Sequence, residues 1–327
     1  MIEARGLART FKSKRGPVEA VRGVDFEVAA GEIVGFLGPN GAGKTTTLRM
    51  LATLLAPTAG DATVAGFDLR RDPRGVRRRI GYVGQGGCTN PLAEVDEEIV
   101  LQARLYGIGA AEAARRAAAL RDHLDLADLG DRQVKTLSGG QRRRLDIALG
   151  MVHEPPLLFL DEPSTGLDPH SRANLWDHIR ALRDRDRSTV FLTTHYLDEA
   201  DALCDRILII DHGRIAATGT PAELKRRIGG DVVTFEVEGA EAAERGRALL
   251  AGHGGVRDAA AAGREIRVTV DRGDAQALPL MRALDAAGVT VSALRMAHPS
   301  LDDVFLTLTG RSLRDAGEGA AAADPRA

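Results

Sequence analysis

The sequence predicts an α/β domain with a mostly parallel sheet covered on both faces, followed by a smaller α+β domain. Two observations carry this. Short apolar runs alternate with helix-like stretches up to about Gly230, the pattern of strands buried on both sides. Composition then shifts at Gly229-Gly230, and the rest follows the order βαββαβ, which suggests a ferredoxin-like unit. A chain of 327 residues has room for about two such domains.

Taken in order, Glu32 to Leu37 is an apolar run ending in a Gly-rich turn, and a helix is expected from Lys44. Arg79 to Val83, Leu157 to Leu160, Thr189 to Thr193 and Arg206 to Ile210 are further β-rich runs. Val95 to Tyr106 and Ala110 to Leu124 read as helices, part of a helical insert spanning about residues 90–150. The expected boundaries are residues 1–229 for the first domain and 230–310 for the second. The second holds strands at Val232 to Val237, Val256 to Ala259, Glu265 to Val270 and Val289 to Met296. Its helices are expected at Ala240 to Ala251, Ala275 to Ala287 and Leu301 to Leu308. Residues 311–327 are rich in Ala, Gly and Asp and predict a disordered tail.

Composition narrows the function classes. Basic and acidic residues nearly balance, 44 against 46, and aromatics are only 4%, so neither charge nor stacking points to nucleic acid. Cys88 and Cys204 form no CxxC pair, which disfavours a zinc site or disulfide framework. The N-terminus carries no apolar leader, and no segment approaches the roughly 20 apolar residues that span a bilayer. A transport role therefore requires a separate membrane protein.

Three motifs carry chemistry. Gly38, Pro39, Asn40, Gly41, Ala42, Gly43, Lys44, Thr45 and Thr46 form a GxxxxGKT phosphate loop between strand and helix. Its glycines let backbone N–H groups wrap phosphates, and the helix start adds partial positive charge. Lys44 is placed to reach the outer phosphates, and Thr45 to offer a hydroxyl to Mg²⁺. In LLFLDEP, an apolar strand ends in two acids: Asp161 for the metal shell, and Glu162 to take a proton from the attacking water. A strand running into a solvated turn gives the same pattern. Between the two lies LSGGQ, Leu137 to Gln141. Ser138 and Gln141 fit a helix capping box. Gly139 and Gly140 also leave the helix start open to an anion supplied from outside the chain.

With these motifs in this order, the chain resembles ATP-binding cassette (ABC) transporter ATPases over Ile2 to Leu224. The resemblance implies the P-loop NTPase cassette fold, with an antiparallel β part beside the mostly parallel sheet and a helical subdomain. It implies ATP and Mg²⁺ as cofactors. It also implies that Ser138, Gly139, Gly140 and Gln141 bind the γ-phosphate held by a second copy. Phe11 then corresponds to the aromatic that stacks on adenine, and Gln85 to the loop glutamine that contacts Mg²⁺ and the membrane partner. Asp168 matches the D-loop, and His195 the switch histidine at the γ-phosphate. Taken singly, Phe11 also fits a core residue, His195 a strand end, and Gln85 a turn.

TGLDPHSRANLW, HYLDEADALCDRILIIDHGRIAATGTPAEL and PSLDDVFLTLTG resemble the daunorubicin-resistance type of bacterial exporter ATPase. This implies a homodimer on the cytoplasmic side of the membrane, bound to an integral-membrane permease that exports a drug-like small molecule. GQGGCTNPLAEVDEEI departs from the family pattern. Glu97-Glu98-Ile99 stands where Leu-Thr-x-x-Glu-Asn-Leu is usual. The alternative is an ABC ATPase acting on ribosomes or DNA, but the chain has one cassette and no long heptad run. Arg77-Arg78-Arg79 and Arg142-Arg143-Arg144 read as solvated helix faces, with Arg144 also near enough to LSGGQ to be structural.

Overall fold

The structure is a computed structural model describing residues 1–14, 16–87 and 89–309. Cys88 and the tail from Arg311, with its expected disorder, lie outside them. Among these residues the chain divides into two compact units, Met1–Thr218 and a second beginning at Gly219.

The first unit opens with β1 (Ile2–Ser13), β2 (Gly16–Val28), β3 (Ile33–Leu37) and α1 (Lys44–Leu51). There follow β4 (Ala59–Val64), β5 (Phe67–Asp68), α2 (Pro73–Arg79) and β6 (Ile80–Val83). The helical insert holds α3 (Val95–Leu105), α4 (Ala110–His123) and α5 (Gly139–Met151). The unit continues through β7 (Leu157–Asp161), α6 (Pro169–Asp186), β8 (Thr189–Thr194), α7 (Leu197–Leu203), β9 (Arg206–Asp211) and β10 (Arg214–Gly219).

These strands form two sheets. The six-stranded one has the order β10-β9-β3-β8-β7-β6. Its pairs from β9 through β6 are parallel. Every residue of β3, β7 and β8 is buried, as strands covered on both faces require. The smaller sheet, β2-β1-β4-β5, is antiparallel. Its inward residues Ile2, Leu7, Val24, Phe26 and Val64 share one core with Phe36, Leu48, Met50, Phe159 and Phe191. That core fixes α1, and so the loop before it, against the sheet.

The departure segment after Gln85 is held by its acids. Glu97 Oε2 accepts from Glu94 N–H at 3.0 Å, Glu98 Oε1 accepts from Asn90 N–H at 3.1 Å, and Ile99 is buried.

The second unit contains α8 (Pro221–Ile228), β11 (Asp231–Val237), α9 (Ala240–Leu250), β12 (Val256–Ala262) and β13 (Glu265–Val270). α10 (Gly273–Ala286), β14 (Val291–Ala297) and α11 (Leu301–Thr309) complete it. The sheet order is β12-β13-β11-β14, and all its pairs are antiparallel. Val233, Phe235, Ile266 and Val268 point to one face and form a core with Ala243, Leu250, Leu280 and Leu284.

The expected division at Gly229-Gly230 is corrected to Gly219, because α8 packs on α11 and belongs with the second unit. Gly230 is no linker residue: a Cβ there would lie 2.1 Å from Val270 O. The composition shift marks the end of α8 rather than the edge of a unit.

Candidate functional site

Strand register builds the site. Leu37 pairs with Thr194, and Asp161 with Thr193, so β3, β8 and β7 end side by side. Gly38, His195 and Glu162 therefore leave the sheet along one edge. This is the carboxyl edge, where ligands bind to parallel sheets.

The loop from Gly38 to Gly43 turns tightly. Gly38, Pro39, Ala42 and Gly43 are buried, Thr45 and Thr46 are half-buried, and Asn40 and Gly41 are exposed. Gly43 has φ 107°, and a Cβ there would lie 2.5 Å from Ala20 O. At Gly38 a Cβ would meet Ile210 O at 2.2 Å. Lys44 then turns back under the loop. Its Nζ donates to Gly38 O at 2.7 Å and Pro39 O at 3.1 Å. It also lies 3.4 Å from Glu162 Oε1.

Two hydroxyls organise the acids. Thr45 Oγ1 and Thr193 Oγ1 both donate to Asp161 Oδ1, at 2.9 and 2.6 Å. Asp161 is fully buried, and its Oδ2 has no hydrogen-bond partner among the described residues. Glu162 adopts φ 46°, a left-handed turn that its N–H secures by donating to Thr193 Oγ1 at 3.0 Å and Thr193 O at 3.1 Å. Its carboxylate lies between Lys44 and His195, whose Nδ1 is 3.2 Å from Oε2 without the alignment of a hydrogen bond. Burial works to raise this carboxyl. His195 and Lys44 outweigh it and hold the group at about 2. Burial pushes the Lys44 ammonium below its usual range, and Glu162 pulls it back.

The remaining predicted residues are placed differently. Gln85 is exposed, on a cavity of about 290 Å³ that Glu162 and Gly139 also line. Phe11 is half-buried on β1, outside the fully buried core, with the Arg9 guanidinium 4.7 Å from its ring centre. Ser138 and Gly139 are exposed, while Gly140 is buried against Ser171. The capping box is complete: Ser138 N–H donates to Gln141 Oε1 at 2.9 Å, and Gln141 N–H to Ser138 Oγ at 3.2 Å. Asp168 is exposed and caps α6, accepting from Ser171 N–H and Oγ. Those bonds hold its carboxyl below the usual range. No hydrogen bond among the described residues ties Ser138 or Gly139 to Lys44, Thr45 or Glu162.

Sequence reasoning missed four residues here. Thr193 anchors both acids, and Thr165 Oγ1 donates to Glu162 Oε2 at 3.3 Å. Glu199 is fully buried, its carboxyl pushed up by burial, and it accepts from Ser164 and Trp176. Arg143 is only 7% exposed, which corrects the solvated-face reading for that member of its run. One signal was available: helical spacing puts Arg143 on the same stripe as Ile147 and Gly140. Arg144 is structural, donating to Asn174 Oδ1 at 2.5 Å.

Residues 21–165 match the family described as ABC transporter, and residues 219–309 that described as ATP-binding protein DrrA1-3-like, C-terminal domain. The chain is 45% identical over 317 residues to the daunorubicin/doxorubicin resistance ATP-binding protein DrrA of Streptomyces peucetius, covering 96% of this chain and 94% of that protein. It is 33% identical over 318 residues to the linearmycin resistance ATP-binding protein LnrL of Bacillus subtilis, covering 96% and 100%. A dimeric bacterial ABC transporter cassette superposes with a TM-score of 0.62 at 25% identity, covering 67% of this chain and 98% of that one. A phosphate loop and acidic strand end closed on each other, an outward serine-glycine corner and a matching second unit lead to one assignment: the chain belongs to the ABC transporter ATP-binding proteins, in the DrrA drug-resistance group.

Proposed function

We propose that this ATPase powers an integral-membrane permease, from the cytoplasmic face of the membrane, in the export of a drug-like or antibiotic small molecule. Two copies close head to tail around two ATP molecules. The observation that carries the reading is the meeting of Lys44, Asp161, Glu162 and His195 at the ends of three adjacent strands. The export direction draws its support from the resistance proteins that the chain resembles along nearly its whole length.

The loop from Gly38 to Thr46 cradles the phosphates, and Phe11 stacks on the adenine. Lys44 turns from Glu162 to the outer phosphates, which frees the carboxylate from the ammonium beside it. Glu162 then takes a proton from water as the water oxygen bonds to the γ-phosphorus. The bond to the bridging oxygen breaks and ADP leaves. His195 stays at the γ-phosphate. Ser138 Oγ already accepts from Gln141, so its own hydrogen is free to donate to the phosphate bound by the other copy. Gly139, Gly140 and Gln141 complete that corner, and Asp168 adjoins it.

The residues present fit Mg²⁺. Asp161 Oδ2 is a buried acceptor without a donor among the described residues, and the Thr45 hydroxyl stands beside the same carboxylate. Among the described residues no three His, Cys, Asp or Glu side chains cluster to cage a metal. That suits an ion which takes its other ligands from phosphate and water. Thr45, Asp161 and Gln85 would hold it, and its charge would offset that of the phosphate oxygens.

The test is co-expression with a candidate permease in membrane vesicles. Addition of the exported drug is expected to raise ATP turnover above the basal rate. Turnover indifferent to every drug that the vesicles exclude would sink the export reading.

A further inference from the structure

Arg143 bridges two parts of the site that the motifs treat as separate. It projects from α5, the helix that Ser138 caps. Its Nε donates to Pro163 O at 2.9 Å, one terminal nitrogen donates to Gly84 O at 2.7 Å, and the other to Asp161 O at 3.0 Å. Gly84 directly precedes Gln85. Asp161 O belongs to the peptide that joins Asp161 to Glu162. That peptide is therefore gripped at both ends, its C=O by Arg143 and its N–H by Thr193. Glu162 at φ 46° needs such a grip, because a left-handed conformation is unfavourable for a residue with a Cβ.

A second contact sets the same helix against the Gln85 loop. Asp146 lies one turn after Arg143, 3.8 Å from its guanidinium, and is 7% exposed. Gly87 passes so close that a Cβ there would lie 3.3 Å from both Asp146 oxygens. The planar fork of the guanidinium suits three fixed carbonyls in a way no ammonium can.

We infer that Arg143 is a positioning residue for ATP hydrolysis: it ties the helix bearing the Ser138 corner to the Gln85 loop and to the peptide that aims Glu162. Movement of α5 as a second copy arrives is thereby passed to the catalytic carboxylate of the same chain. The inference rests on Glu162 being the base in the function proposed above. All three of its hydrogen bonds go to backbone carbonyls, so it acts through two backbone segments.

The test uses Arg143→Met and Arg143→Lys in the intact chain. In the Met variant kcat for ATP is expected to fall about 10- to 100-fold, the scale of a misplaced catalytic group. Affinity for ATP, titrated directly by calorimetry, is expected to hold within about twofold, since no ground-state contact is lost. Arg143→Lys, which keeps the charge but only one donor nitrogen, is expected to regain part of kcat. Adding Arg143→Met to Glu162→Gln is expected to leave residual turnover within about twofold, because the two act as a unit.

A Met variant with normal kcat overturns the inference. So do a loss confined to KM, and losses that multiply with Glu162→Gln, each of which marks a merely structural arginine. If the Met variant fails to fold, Arg143→Lys decides: reduced kcat at unchanged ATP affinity supports the inference, and normal kcat overturns it. Normal turnover in Glu162→Gln alone overturns the base assignment first, and this inference with it.

Discussion

The phosphate-loop side of the site is closed on itself, whereas the serine-glycine corner faces outward. Lys44 and Asp161 are 4% and 0% exposed, and both have protein partners. Ser138 and Gly139 are exposed, and the polar partner of Ser138 lies within its own capping box. Folding alone therefore assembles the first half, since every member gains a partner on the same chain. The second half is folded only as a helix start, and in the function proposed above its open donors meet an acceptor on the other copy. On that proposal one reaction is divided between an interior and a surface.

Substitutions can break this comparison. The largest effect is expected from the interior: Glu162→Gln should lower steady hydrolysis by about 10²- to 10⁴-fold, the usual contribution of a general base. ATP should then hold a dimer on a sizing column. Turnover close to wild type would remove Glu162 from its role. The outward corner is probed by Ser138→Arg. Turnover should fall by about 10²-fold or more, the scale of a lost charge-stabilising donor, while ATP affinity of the single chain holds. A monomeric variant with full turnover would show that the corner is not needed.

The smallest effect sharpens the electrostatics of the interior. The Glu162 carboxyl sits at about 2, against an ordinary 4.5. A depressed acid adds stability above its unfolded pKa and loses it as pH falls through its folded one. The shift corresponds to about 3 kcal/mol at most, at 1.36 kcal/mol per unit. Wild type should therefore lose melting temperature faster than Glu162→Gln between about pH 5 and pH 3. Parallel melting curves across that range would show that the carboxylate gains nothing from Lys44 and His195.

The interior was legible because its chemistry is local in sequence. Gly38 to Thr46 is one continuous loop, and Asp161-Glu162 ends one strand. The parallel sheet followed from short runs made mostly of apolar residues, such as Ile33 to Leu37 and Leu157 to Leu160. Partners contributed by distant segments were not legible. Thr193 reads as an ordinary strand residue until register sets it beside Asp161. Arg143 is indistinguishable by charge from Arg142 and Arg144; helical spacing with Gly140 and Ile147 hints at its burial, and only its three-dimensional neighbours show what it holds. The edge between the units was misread for the same reason: α8 joins the second unit through α11, far along the chain.

The backbone shape of Glu162 has a consequence for substitution. Glycine or asparagine would rest there with less strain, yet neither offers the carboxylate. The strain of that turn, about 1–2 kcal/mol, is smaller than what the carboxylate contributes beside Lys44 and His195. A substitution that relaxes the backbone therefore still lowers stability and leaves Lys44 buried without its counter-charge.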